Sequence, residues 1–285
     1  IKHEMRLILF LFSILPLKPA KALIRQTIRI FPLTILDSYK TTLTNINICF
    51  KHLSVAEKEL LARNSIIETI CSLYETFYAL SRSTKTISKN IKRIDNKYLL
   101  ASNIRANNGL IISGIHNRSV DVALQWVNGQ TPTVGLYKPP KIKLLDVYVK
   151  KHREQNNNKV FTTSFKGVKE LFKAIKKNEI VIMASDQVPK DGMGEYAKFF
   201  NREAYTTTLI TSLANKTTKP LIYIGLLGTR DNEIKIVFKD APKIKTVESM
   251  NSTMAEIIKI NPQDYSWEYK RFKKPPKGLE DPYRN

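Results

Sequence analysis

The chain has 285 residues, with 47 Lys+Arg against 25 Asp+Glu, and so carries a net charge of +22 at pH 7. At 42% hydrophobic residues it can bury a core, which excludes wholesale disorder, and a mean hydropathy of −0.26 excludes a polytopic membrane protein. Two cysteines, Cys49 and Cys71, exclude a disulfide scaffold and a four-cysteine zinc site, leaving a globular protein drawn to nucleic acid, anionic lipid or an acidic protein.

In chain order, the first feature is an apolar run over residues 7–15, broken only by Ser13 and followed by Pro16. As a helix it rises about 14 Å, short against a hydrocarbon core of about 30 Å. Beyond Pro16, apolar residues from Ala22 to Leu36 are interleaved with Lys18, Lys21, Arg25 and Arg29. That mixture suits a helix lying in the headgroup layer of an anionic leaflet. Arg6, the apolar run and Ala20-Lys21-Ala22 also imitate the three parts of a cleaved leader, so both readings stand open. Residues 1–36 are read as a membrane anchor and 37–285 as the catalytic domain.

Residues 54–80 have helical periodicity, with Ser54 as N-cap and Glu57 completing a capping box. Residues 81–97 read as a basic connection with a short helix. The pattern then alternates. Strands are predicted over 109–115, 133–137, 160–163, 180–184, 221–227 and 234–238. Helices are predicted over 120–127, 166–177, 206–216 and 250–260. This is an α/β fold: a central mixed sheet flanked by helices, from about residue 98 to 245, behind a helical N-terminal anchoring segment.

Of the four histidines, His116 stands apart because it directly follows the strand 109–115, with Asp121 five positions on. Residues five apart on a helix lie about 140° apart and do not touch. If His116 sits in the turn and Ser119 caps the next helix, Asp121 can fold back to the imidazole and make a general-base dyad. An ordinary turn histidine beside a solvated first-turn acid is the commoner arrangement at this spacing. Asp186-Gln187, after the strand 180–184, marks a second site edge or a polar strand terminus. Phe199 to Arg202 is read as a loop before a Thr-rich helix start. No second His or Cys stands at metal-ligand spacing, and no metal is expected.

Together these pieces resemble the late acyltransferases of lipid A biosynthesis, within the wider glycerolipid acyltransferase group marked by His-x4-Asp/Glu. His116 and Asp121 match that motif. Tyr137-Lys138-Pro139, Leu145-Asp146, Arg153 and Asp186-Gln187 match further family segments in order. Phe199 to Arg202 with Thr206 to Thr208 resembles a Phe-Phe-Gly loop leading to a helix. Pro262, Tyr265, Trp267, Arg271, Phe272, Lys273 and Pro276 fall at the spacing of the C-terminal signature. Asn45, Cys49, Phe50, Leu53 and Ser54 resemble an upstream segment. The chain departs where the family reads His-x-Gly-Asn-Trp-Glu: here Asn117, Arg118, Ser119, Val120 and Asp121 follow His116. Asn201 replaces a Gly and Asp264 a Gln.

The resemblance implies transfer of a fatty acyl chain from acyl carrier protein to a hydroxyl of a lipid A precursor at the cytoplasmic face of a bacterial inner membrane, without a cofactor. His116 would be general base, oriented by Asp121. Arg118, Arg153, Asp186, Gln187 and Arg202 would bind substrate. Two alternatives stay open: the same fold acting on another glycolipid, phospholipid or aminolipid, and a non-catalytic basic protein binding membrane or nucleic acid. No nucleic-acid motif is visible. Residues 138–177 hold twelve Lys or Arg against three acids, a local +9. An anionic membrane, a phosphorylated lipid acceptor and the acidic carrier protein are the expected partners.

Overall fold

The structure is a computed structural model describing residues 2–91 and 93–284; Ile1 of the expected anchor lies outside it, as do Lys92 and Asn285. The chain opens with helices α1 (Lys2–Phe12) and α2 (Leu17–Ile28). They are bent by 61° at a break that ends on Pro16, which lacks an N–H to continue the first helix. Among the described residues no single helix is long and apolar enough to cross a membrane; only the bent pair meets that length and composition together. Leu7, Leu11, Phe12, Ile14 and Leu23 are exposed on this pair, whereas Lys21 is buried.

A 3₁₀ turn (Leu33–Ile35) leads to α3 (Asp37–Cys49) and to α4 (Val55–Ser81). Helix α4 has 27 residues and begins with the predicted capping box between Ser54 and Glu57. At about 1.5 Å per residue it is about 40 Å long, and α1, α2 and α3 pack against it. After α5 (Thr84–Asn90), β1 (Arg93–Asp95) and α6 (Lys97–Ala106), the alternating region begins.

That region runs β2 (Leu110–Gly114), α7 (Val120–Asn128), β3 (Thr133–Tyr137), α8 (Lys143–Arg153), β4 (Lys159–Thr162), α9 (Phe165–Lys176) and β5 (Ile180–Ala184). A hairpin of β6 (Gly194–Phe199) and β7 (Arg202–Thr207) follows, then α10 (Leu209–Thr217), β8 (Leu221–Gly228), β9 (Ile234–Asp240) and α11 (Val247–Ile260). The seven-stranded sheet has the order β1-β9-β8-β2-β5-β3-β4. Every pair in it is parallel except β8 with β9, so the sheet is mixed, as predicted, and is mostly parallel.

The hairpin corrects one expectation. Thr206 and Thr207 close strand β7 rather than opening a helix, in keeping with the preference of β-branched residues for strands. Phe200 takes the left-handed turn position, with φ of 54°. Phe50, Phe199, Phe200, Tyr265, Trp267 and Phe272 form one aromatic cluster with centroids 4.7 to 6.3 Å apart. Trp267 is fully buried and Phe272 nearly so. Asn45 donates to Trp267 O (2.7 Å) and Tyr269 O (2.9 Å), which ties the upstream segment to the C-terminal signature. These signature residues close the core.

Candidate active site

Parallel strands carry their following turns to one sheet edge, where open α/β folds bind ligands. Strands β2 and β5 are neighbours in register, with Gly114 opposite Ala184. Two residues beyond each lie His116 and Asp186. The geometry follows: His116 Nδ1 is 2.7 Å from Asp186 Oδ1, and the His116 N–H donates to Asp186 Oδ2 at 3.2 Å. Asp186 is 1% exposed and the His116 side chain 30%. Burial works against the imidazolium, but the Asp186 charge and hydrogen bond outweigh it and raise the His116 pKa above its ordinary value. Burial likewise opposes the Asp186 carboxylate, and His116 overcomes it, lowering that pKa. The far nitrogen, Nε2, meets Gln187 Nε2 at 3.3 Å.

Asp121 is placed differently from its expected role. It lies in the first turn of α7, behind the Ser119 N-cap, and accepts from Arg153 Nε and Nη2 at 2.8 and 3.0 Å. Arg153 stands in the last turn of α8. Burial opposes its charge, and Asp121 more than restores it. The carboxylate against the imidazole thus comes from the neighbouring strand, and the motif acid holds an arginine.

The other two basic candidates are engaged elsewhere: Arg118 borders the cavity with its guanidinium turned away, and Arg202 lies outside it. The Arg118 side chain has no exposed surface and is bonded to Glu68, Glu75 and Asp264, so its expected contact with a substrate phosphate is lost. Arg202 lies on the hairpin, where Nη2 donates to Glu280 O at 2.7 Å; it does not line the cavity.

That cavity, about 790 Å³, opens over the sheet edge and lies within the roughly 300–1,000 Å³ of small-ligand sites. His116, Asp121, Arg153 and Gln187 line it, with Gly114, Gly135, Val160, Ile182 and Ile224 along one sheet face and Leu136 and Met183 along the other. A polar, charged mouth thus leads to apolar walls. Tyr137 OH donates to Asp146 Oδ1 (3.0 Å), fixing the start of α8 beside the mouth.

The loop carrying His116 is zipped to the C-terminal signature. Ser266 N donates to His116 O at 3.0 Å, Asn117 bridges Tyr265, and Arg118 N donates to Asp264 O at 2.9 Å. Both cysteines are buried. Burial pushes the Cys71 thiol up to about 12 and raises that of Cys49 further, so neither is poised as a thiolate. Among the described residues no group of three or more His, Cys, Asp or Glu could hold a metal ion.

Comparison with known proteins adds a family. The sequence model of bacterial lipid A biosynthesis acyltransferases matches residues 5–274. The chain is 24% identical over 249 residues to a lipid A biosynthesis lauroyltransferase of Escherichia coli (strain K12), covering 84% of this chain and 80% of that protein. It is 23% identical over 251 residues to a lipid A biosynthesis palmitoleoyltransferase of the same strain, with the same coverage of 84% and 80%. A lipid A biosynthesis acyltransferase of Haemophilus influenzae is 22% identical over 245 residues, covering 81% of this chain and 76% of that protein.

Proposed function

Because the chain belongs to the bacterial lipid A biosynthesis acyltransferase family, we propose that it moves a fatty acyl chain from acyl carrier protein to a hydroxyl of a lipid A precursor, with His116 as general base. The observation that carries the mechanism is the imidazole held by a buried carboxylate on Nδ1, with the ring on the wall of a cavity with apolar walls. Asp186 fixes the tautomer that leaves Nε2 free to accept a proton.

His116 Nε2 takes the proton of the acceptor hydroxyl as the oxygen attacks the thioester carbonyl. The tetrahedral oxyanion forms next to Arg153, whose charge Asp121 orients. The intermediate collapses, the C–S bond breaks, and the imidazolium returns the proton to the leaving thiolate. No acyl-enzyme forms, in keeping with two buried, protonated cysteines. Gln187 lies on Nε2 at rest, so the acceptor hydroxyl takes its place there.

Helices α1 and α2 rest in the headgroup layer of the inner membrane at its cytoplasmic face. Their exposed apolar side chains, and the exposed Lys18 and Arg29, support that placement. Ile142, Leu144 and Val147 on and beside α8 are exposed as well, and α8 packs on α1. The cavity mouth thereby faces the lipid acceptor.

The test is transfer from acyl carrier protein by wild type and His116→Ala, alongside mass spectrometry of lipid A from a deletion strain. The expected result is loss of transfer in the variant and a precursor lacking one acyl chain in the strain. Full activity in His116→Ala refutes the mechanism; unchanged lipid A refutes the acceptor.

A further inference from the structure

Arg118 stands two positions after His116 with φ of 57°, the left-handed region that side chains rarely adopt. Its N–H is tied to Asp264 O, and its guanidinium is caged by three carboxylates. Nε meets Glu75 Oε1 and Oε2 at 3.1 and 3.2 Å, and Nη2 meets Glu75 Oε1 at 2.5 Å. Nη1 meets Glu68 Oε2 and Asp264 Oδ1, each at 2.6 Å. Gly228 closes the cage: a Cβ there would lie 2.8 Å from Nη1.

One base cannot balance three buried acids. The other two bases come from α2. Lys21 Nζ, fully buried, donates to Glu75 Oε1 at 3.1 Å. Arg25 forks onto Glu68, with Nε to Oε1 at 2.5 Å and Nη2 to Oε2 at 2.8 Å. Lys21 and Arg25 lie one turn apart on α2, and Glu68 and Glu75 two turns apart on α4, so the packed helices bring both pairs together. Three bases meet three acids only while α2 is seated. Lifting α2 takes away two of the bases and leaves Arg118 alone among the carboxylates.

We infer that Arg118 is a positioning residue for His116, and that α2 belongs to the same device. Lys21 and Arg25 keep the cage neutral, and the cage keeps residues 116–118 zipped to the C-terminal signature in their working conformation. The inference rests on the general-base reading of His116.

The test uses the full chain in vesicles of phosphatidylethanolamine and phosphatidylglycerol, with lauroyl-acyl carrier protein and a lipid A precursor. Lys21→Met and the charge-matched Lys21→Met/Glu75→Gln are assayed at a temperature where circular dichroism shows each folded. Lys21→Met is expected to lose roughly tenfold or more in kcat with KM within about twofold, and the double variant to recover most of it. A role confined to stability would lower Tm and leave the kcat of folded protein unchanged. Wild-type kcat in Lys21→Met overturns the inference, as does a double variant no better than the single. If Lys21→Met does not fold, Arg118→Lys keeps the charge but cannot fork across three carboxylates; it is expected to show the same kcat-selective loss, and an unchanged kcat overturns the inference. His116→Ala is run beside them. Full activity there sinks the general-base reading itself, whereas an inactive His116→Ala with wild-type kcat in Lys21→Met sinks only the coupling.

Discussion

Asp186→Asn isolates the carboxylate that the structure sets against His116. The substitution keeps the size of the side chain but removes a negative charge 2.7 Å from Nδ1 and one acceptor of the pair that binds the ring and the His116 N–H. A unit charge about 4 Å from the imidazolium is worth roughly 4 kcal/mol at an effective dielectric constant of 20. The imidazolium forms only as the hydroxyl proton moves, so the loss falls on the transition state and amounts to about 10³ in kcat. The pH profile provides a second reading. A general base must be neutral, so kcat/KM rises with pH through the His116 pKa, which Asp186 raises above the usual histidine value. Without that charge only burial remains, and the acid limb moves to lower pH. The assay is initial acyl transfer from acyl carrier protein between pH 5 and 9, on protein shown folded by circular dichroism. Asp121→Asn serves as the contrast, because its carboxylate is bonded to Arg153; it is expected to cut kcat and move the limb less. An Asp186→Asn enzyme with less than tenfold loss and an unmoved acid limb would refute this reasoning.

Gly114 lines the cavity, and a Cβ there would meet no atom closer than 3.8 Å. Gly114→Val should therefore fold and shorten the preferred donor: a chain two methylenes too long forfeits about 1.6 kcal/mol of burial, roughly 15-fold in kcat/KM, measured with donors of graded length. Arg202→Ala is expected to leave kcat/KM within about twofold of wild type, since the side chain holds Glu280 O away from the cavity; a tenfold rise in KM for the acceptor would return Arg202 to the site. Glu68 sets an acid limit on stability. Burial opposes its charge, but Arg25 and Arg118 hold its pKa down to about 2 from an ordinary 4.5. A depressed carboxyl stabilises the fold above its unfolded pKa and loses that contribution as pH falls through the native value. About 3 kcal/mol should therefore vanish between roughly pH 4.5 and 2, seen as a steep fall in Tm, and the fall should flatten in Glu68→Gln.

The strands and the loop that carries His116 were legible because their signals are local. Apolar runs bounded by Gly, as at residues 109–115, mark buried strands, and a capping box marks the start of α4. What was not legible depends on which strands are neighbours. His116 and Asp186 occupy equivalent places after β2 and β5, but only the strand order shows that those two strands pair. Helix α8 was hidden in a Lys-rich stretch that read as charge rather than structure, and the Thr run of β7 was assigned to the following helix. Two departures from the family pattern, Arg118 and Asp264, are 146 residues apart in sequence and 2.6 Å apart in space. Each is unreadable alone; together they are one ion pair.

The zipper between residues 116–118 and 264–266 also sets a schedule for biosynthesis. After Arg118 is made, 146 further residues must be translated before Asp264 exists to pair with it. At about 5–20 residues per second that wait lasts roughly 7–30 s. During it α2 and α4 can already associate, with Glu68 and Glu75 neutralised by Lys21 and Arg25. The turn that carries His116, by contrast, has no segment to lie against until residues 264–266 are made. A nascent chain can therefore pack α2 on α4 well before the His116 turn is held, and a chain that stops short of residue 264 leaves that turn without its partner.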